Sequence, residues 1–351
     1  MPLTLLYRMS GQAIGPIIGG ALNSAWGFRS IFWLLFVMGA IVLLALLFAL
    51  PETQRSRVGN GSIPLTGFDK PLLYMIRPPK VWAENKDKVL QTKKPKEPIS
   101  FRKAFSPMAF ICEKDIATLL AWGAVAYTAW SMVTSSTTTA LLKGYPFLNE
   151  WQIGLCFLPN GMGCILGSLC TGWLLDRSFK AVEIRYREER GIGFEGKVTD
   201  LPDFPFVRAR LRLMPYFSAA LIVALALYGP SFEFNDLRRH HGPNLIAPLG
   251  LQFLIAFSAT AIFNINSTLL IDCFPDRPAS ATALNNLCRC LLGAAGVSAI
   301  QPLIDALKIM KAFLVVTGAV LVCTPLIWVE WKWGEKWRRE RDDARRKVEG
   351  T

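Results

Sequence analysis

The sequence is poor in the side chains that most often carry enzyme chemistry. It has two histidines in 351 residues, His240 and His241, adjacent in one polar stretch. That excludes the histidine-rich metal sites on which many membrane enzymes are built. Charged residues are 19% of the chain, and whole runs of about twenty residues are almost free of them. Between Ile31 and Leu50 there is neither a charge nor a proline. No Asp, Glu or His falls at the middle of an apolar run: Asp115, Asp176, Asp272, Asp305 and Glu330 all stand near run ends. No nucleophile–base pair is visible, so no enzyme and no cofactor is expected. A signal peptide is not expected either, because the first apolar stretch carries Arg8 and a ladder of glycines in place of a compact core and cleavage site.

Eight cysteines are present, all in or beside apolar runs. Cys288 and Cys290 are two apart and on a helix point to different sides, so they cannot share a metal. The cysteines read as reduced, small packing residues.

What the chain does have is apolar mass, segregated. Hydrophobic residues make up 52%, in long runs separated by short polar segments, as a bilayer demands. Spans are expected near 3–24, 30–50, 116–142, 151–175, 211–230, 245–271, 279–304 and 310–331. The fold class is therefore an all-α membrane protein with about eight transmembrane helices. Pro51 ends the second span, because proline cannot continue the hydrogen-bond ladder.

The net charge of +13 would suggest nucleic acid in a soluble protein. Here its distribution favours topology instead. Basic residues concentrate in 51–115, 176–210 and the tail after Trp331, while the alternate loops hold few. By the positive-inside rule these segments, with 272–278, are cytoplasmic, and both termini lie on that side. The chain divides into 1–50, a Pro- and Lys-rich linker over 51–115, a six-helix part over 116–331 and a basic tail over 332–351. The expected partners are a lipid bilayer and a small-molecule substrate, with no nucleic acid.

The first span holds the sharpest motif: Gly11, Gly15, Pro16, Gly19 and Gly20. Gly11, Gly15 and Gly19 are spaced by four and form one small-residue face that lets another helix approach. Pro16 bends the helix beside that face. The string resembles the glycine–proline motif in the fifth helix of drug:proton antiporters of the major facilitator superfamily, although Pro2 stands where that motif has a further glycine. The run Trp26-Gly27-Phe28-Arg29-Ser30-Ile31-Phe32-Trp33, then Leu50-Pro51-Glu52-Thr53 and Val58-Gly59-Asn60-Gly61-Ser62, resembles the entry to and exit from the sixth helix. Together these are most similar to fungal multidrug exporters of the quinidine-resistance type. The resemblance covers nearly the whole chain, as helices five to twelve of a partial major facilitator fold, without the first four.

A second signature is Gly172-Trp173-Leu174-Leu175-Asp176-Arg177, similar to the superfamily's G-x-x-x-D-R motif. In a cytoplasmic gate, Gly172 admits a neighbouring helix, Asp176 faces the positive start of helix 3–24, and Arg177 holds the loop beneath. The alternative is a plain helix exit flanked by charges. The segment from Asp272 to Arg277, followed by Asn285, Asn286 and Arg289, also resembles this exporter group. Arg289 either faces protein or a water-filled cavity, or snorkels to the cytoplasmic surface one turn away.

Substrate-path candidates are Trp122, Tyr127, Trp130, Thr134 and Ser135 on the third span, with Asn160, Asn264, Asn266, Asn285, Asn286 and Arg289. Each has a plainer reading as a packing residue or a polar bridge between helices. The resemblance implies export of hydrophobic or cationic compounds by alternating access, coupled to protons, at the plasma membrane. A transporter of polyamines or organic acids is the first rival, and a non-transporting fragment the second. The lack of buried acids argues against polycations.

Overall fold

In a computed structural model, residues 2–51, 73–74, 108, 111, 113–191, 204–237, 245–274 and 278–349 are described. All the regular elements among them are helices. Apart from a few residues at its edges, the expected linker over 51–115 lies outside the described residues.

Two compact units divide the chain. One comprises Leu22–Lys103. Here the end of α1 (Pro2–Trp26) turns into α2 (Arg29–Ala49) through Gly27, whose φ of 77° only glycine adopts without strain. The Ser30 hydroxyl closes this turn on the carbonyls of Leu22, at 3.1 Å, and Gly27, at 2.7 Å. α2 has no buried residue and carries apolar side chains all round. Water would make such a surface costly, whereas hydrocarbon accepts it.

The other unit comprises Met1–Ala21 and Ala104–Thr351. It contains α3 (Lys114–Gly144), α4 (Glu150–Leu155), α5 (Leu158–Arg190), α6 (Phe206–Leu211), α7 (Met214–Leu237), α8 (Ile246–Cys273), α9 (Pro278–Cys323) and α10 (Pro325–Glu349). α8 is the central helix, packed on α3, α5, α7 and α9, and its Ile255, Ile262 and Ile265 have no accessible surface. Helices without a hydrophobic force between them associate through small residues that bring backbones together. Gly163 and Gly167 do this on α5. A Cβ on them would stand 2.5 Å from the Phe253 carbonyl oxygen and 2.6 Å from that of Phe257, both on α8. Gly296 of α9 likewise leaves 2.3 Å for the Thr128 methyl group of α3.

Against α4 and α5, α1 does not use its glycine ladder. Among the described residues, nothing lies within 4 Å of a Cβ built on Gly11, Gly15 or Gly19. The contact runs instead along Ala13, Pro16, Ile17 and Gly20. A Cβ on Gly154 would sit 2.8 Å from the Pro16 carbonyl oxygen, and one on Gly161 would overlap Ala13. These residues recur at helical spacing on a different face from the ladder.

Six stretches among the described residues are long and apolar enough to cross a bilayer, against the eight expected. Two causes account for the difference. α1 is not one of the six, and the last two expected spans run together in Pro278–Arg341. That long stretch is divided by a kink at Lys308, with φ 65° and ψ 168°. α5 also overruns its expected end at residue 175, continuing to Arg190 before Gly191 caps it at φ 63°. Its 33 residues span roughly 50 Å at 1.5 Å each, against a hydrocarbon core of about 30 Å. The overhang packs Phe179, Val182 and Tyr186 onto Phe204, Phe206 and Ala209.

Ion pairs fasten both ends of this unit. At the basic end the Arg210 Nε donates to Asp272 at 2.8 Å. Arg341 of α10 donates to Asp115 at the start of α3, with side chains 2% and 4% exposed. Glu330 lies buried near them. At the opposite end Lys143 and Asp305 pair at 3.1 Å with both side chains more than half exposed.

Candidate transport site

Helices α3, α5, α8 and α9 carry all of the expected substrate-path residues, and the structure sorts those residues into bridges and free groups. The Trp130 Nε1 donates to the Asn160 Oδ1 at 3.0 Å, joining α3 to α5. The Asn264 Nδ2 reaches the Ser168 Oγ at 3.2 Å, joining α8 to α5. The Asn285 Nδ2 reaches the Ser267 Oγ at 3.2 Å, joining α9 to α8. The Asn266 Nδ2 donates to the Leu119 carbonyl at 3.4 Å, in the space that Gly123 leaves open on α3. These four asparagines therefore hold helices together. Thr134 and Ser135 return their hydroxyls to carbonyls of their own helix, at 2.9 and 3.1 Å, as such residues do in apolar surroundings. Trp122 is 2% exposed and belongs to the core.

Arg289 is different. It follows the start of α9 at Pro278 by eleven residues, or roughly 16 Å of helix. The start of α9 is thus about three turns away, and the guanidinium stays among the helices. It lies between two aromatic rings, 4.7 Å from the Tyr127 centroid on α3 and 4.6 Å from that of Phe263 on α8. Two ring faces attract a cation without neutralising it. Among the described residues no carboxylate pairs with Arg289, and its buried Nε has no hydrogen-bond partner. The Asn286 Oδ1, one turn earlier on the same helix, is also buried without a partner. Trp130 extends the aromatic wall, its ring 5.5 Å from Tyr127. A half-buried cation flanked by aromatic faces, with an idle amide beside it, is suited to a ligand that brings its own negative charge.

Sequence reasoning missed Phe263, Ser168 and Ser267. Their signal was spacing: Phe263 and Ser267 are four apart on α8 and flank Asn264 and Asn266. It also passed over Gly163 and Gly167, whose spacing by four equals that of the ladder it did single out.

The residues expected to form a gate are not drawn together. Among the described residues, nothing lies within 4 Å of a Cβ position on Gly172, and Asp176 is exposed. Arg177 stacks over Trp173 at 5.2 Å on its own helix.

Residues 9–297 match the Major Facilitator Superfamily. The chain is 44% identical over 337 residues to citrate exporter 1 of Aspergillus niger, which takes in 95% of this chain and 62% of that protein. It is 30% identical to the MFS antiporter QDR2 of Candida albicans, over 92% of this chain and 61% of the relative. Quinidine resistance protein 1 of Saccharomyces cerevisiae is 27% identical, over 86% of this chain and 55% of the relative. The chain thus spans about 62% of the length of the citrate exporter it matches. No solved structure matches.

Proposed function

The chain belongs to the major facilitator superfamily, and on that premise we propose that it serves the export of small carboxylate-bearing organic anions by alternating access. Arg289 carries the reading: a cation three turns inside a helix, held by Tyr127 and Phe263, with no carboxylate paired to it among the described residues. An intramembrane cation is expensive and marks a substrate or ion path by default. A carboxylate ligand would take the idle guanidinium edge in a charge-assisted pair, with Asn286 beside it. The 44% identity to a citrate exporter supports the same class.

Hydrophobic drug export is the second reading. It draws on the Tyr127–Trp130 pair, 5.5 Å apart, and on the drug-resistance relatives. In either case the plasma membrane, cytoplasmic termini and proton coupling are part of the proposal. So is the gating role of Gly172, Asp176 and Arg177.

The test is uptake of labelled citrate, and of quinidine, into vesicles carrying the full chain. We expect citrate flux, its loss in Arg289→Gln and partial return in Arg289→Lys. Citrate flux that survives Arg289→Gln, or quinidine flux alone, would discard the organic-anion reading.

A further inference from the structure

At the basic end, α6 and α10 line an open cavity of about 470 Å³. Arg208 enters it from α6, and Lys332, Lys336 and Arg339 from α10, alongside Glu335 and Glu340. The three α10 cations fall at i, i+4 and i+7, so one helix face supplies them all. Four cations against two carboxylates leave the lining at +2. Glu340 holds Lys336 only loosely, since their pair spans 3.8 Å with side chains 73% and 61% exposed.

The level of the cavity is marked by tryptophan. The Lys332 Nζ lies 4.9 Å from the Trp328 ring and 5.4 Å from the Trp333 ring, and both indoles are exposed. Exposed tryptophans where an apolar stretch gives way to a charged one mark the membrane–water interface, the depth of lipid headgroups. The volume falls in the range of small-molecule sites, about 300–1,000 Å³, so a headgroup fits with its phosphate. A phosphomonoester carries about −1.5 to −2 at neutral pH, which matches the lining, whereas a plain diester headgroup supplies a single charge.

We propose that this cavity binds the headgroup of a lipid bearing a phosphomonoester, drawn from the leaflet on the basic side of the membrane. Basic pockets at the cytoplasmic edge of helix bundles suit such headgroups. The site is independent of what the chain carries, and its test reads lipid binding and not transport.

The full chain, purified in detergent, is offered phosphatidylinositol 4-phosphate or phosphatidylinositol in mixed micelles of detergent and phosphatidylcholine, and retained lipid is measured by native mass spectrometry. The expected result is a preference for the phosphomonoester lipid of about tenfold. That preference should vanish in Lys336→Gln/Arg339→Gln and persist in Lys180→Gln/Arg185→Gln, which alters exposed cations outside the cavity. If the double variant does not fold, Lys332→Gln alone should reduce retention severalfold. Equal retention of the two lipids, or undiminished preference in the cavity variants, overturns the proposal. Displacement of the lipid by an equal concentration of inorganic phosphate also overturns it, since that would mark a site for the free anion.

Discussion

Asp115 and Arg341 stand 226 positions apart and form a buried ion pair, with side chains 4% and 2% exposed. The pair joins the start of α3 to the tail helix α10, and Arg341 also lies over the Phe274 ring at 5.2 Å. The tail is thereby part of the packed unit.

Breaking this pair on one side should be costly. Arg341→Met would leave Asp115 buried beside Glu330, itself 4% exposed, without their cation. We expect a loss of about 3–5 kcal/mol, read as a fall in thermal unfolding temperature in detergent. The double variant Asp115→Asn/Arg341→Met should recover part of that loss. If the double variant falls as far as the sum of the two singles, the two residues are not coupled.

The glycines separate packing from other roles. Gly167→Val would push a side chain into the Phe257 backbone, 2.6 Å away, and should cost about 1–3 kcal/mol. Gly15→Ala meets nothing within 4 Å among the described residues and should leave stability unchanged or raise it by up to about 1 kcal/mol. Paired unfolding curves decide this. Loss of flux in Gly15→Ala without loss of stability would point to a role for the ladder in transport.

Tyr127 should act through its ring. Tyr127→Phe keeps the face toward Arg289, 4.7 Å away, and should transport normally. Tyr127→Leu removes it, and the KM for the organic anion should rise about two- to thirtyfold, the worth of a cation–π contact. Equal KM values for the two variants would detach Tyr127 from the site.

Lys308 holds a left-handed φ of 65° at the kink of α9. A residue with a side chain is strained there by about 1–3 kcal/mol, so Lys308→Gly should raise the unfolding temperature. A lower temperature would mean that the lysine side chain contributes more than its backbone costs.

The spans were legible because uninterrupted apolar runs have few other uses, and all six apolar stretches of the structure fall on expected ones. The α5 overhang was not, because charges after Asp176 resemble a loop. The sign was nevertheless present: Glu183 pairs with Arg187 at 3.0 Å and Arg185 with Glu189 at 2.8 Å, both at the four-residue spacing that supports a helix. The small residues of α1 were visible, but not which side of that helix its neighbours take, since Ala13 and Gly20 serve as well as the ladder. The depth of Arg289 depended on where α9 begins, and helix starts are weakly encoded. The Asp115–Arg341 pair left no local trace at all.

The overhang of α5 has a mechanical consequence. A helix of about 50 Å has about 20 Å to spare over a hydrocarbon core of about 30 Å, and the aromatic side chains of its last turns are gripped by Phe204 and Phe206. Arg338 of α10 in turn lies over the Phe206 ring at 4.4 Å. The projecting helix is thus a lever arm with its load attached. A rocking of α5 by about 10° would swing its far end through roughly 3 Å, carrying α6 and the tail helix along. A displacement too small to follow inside the bilayer is thereby enlarged on the surface outside it.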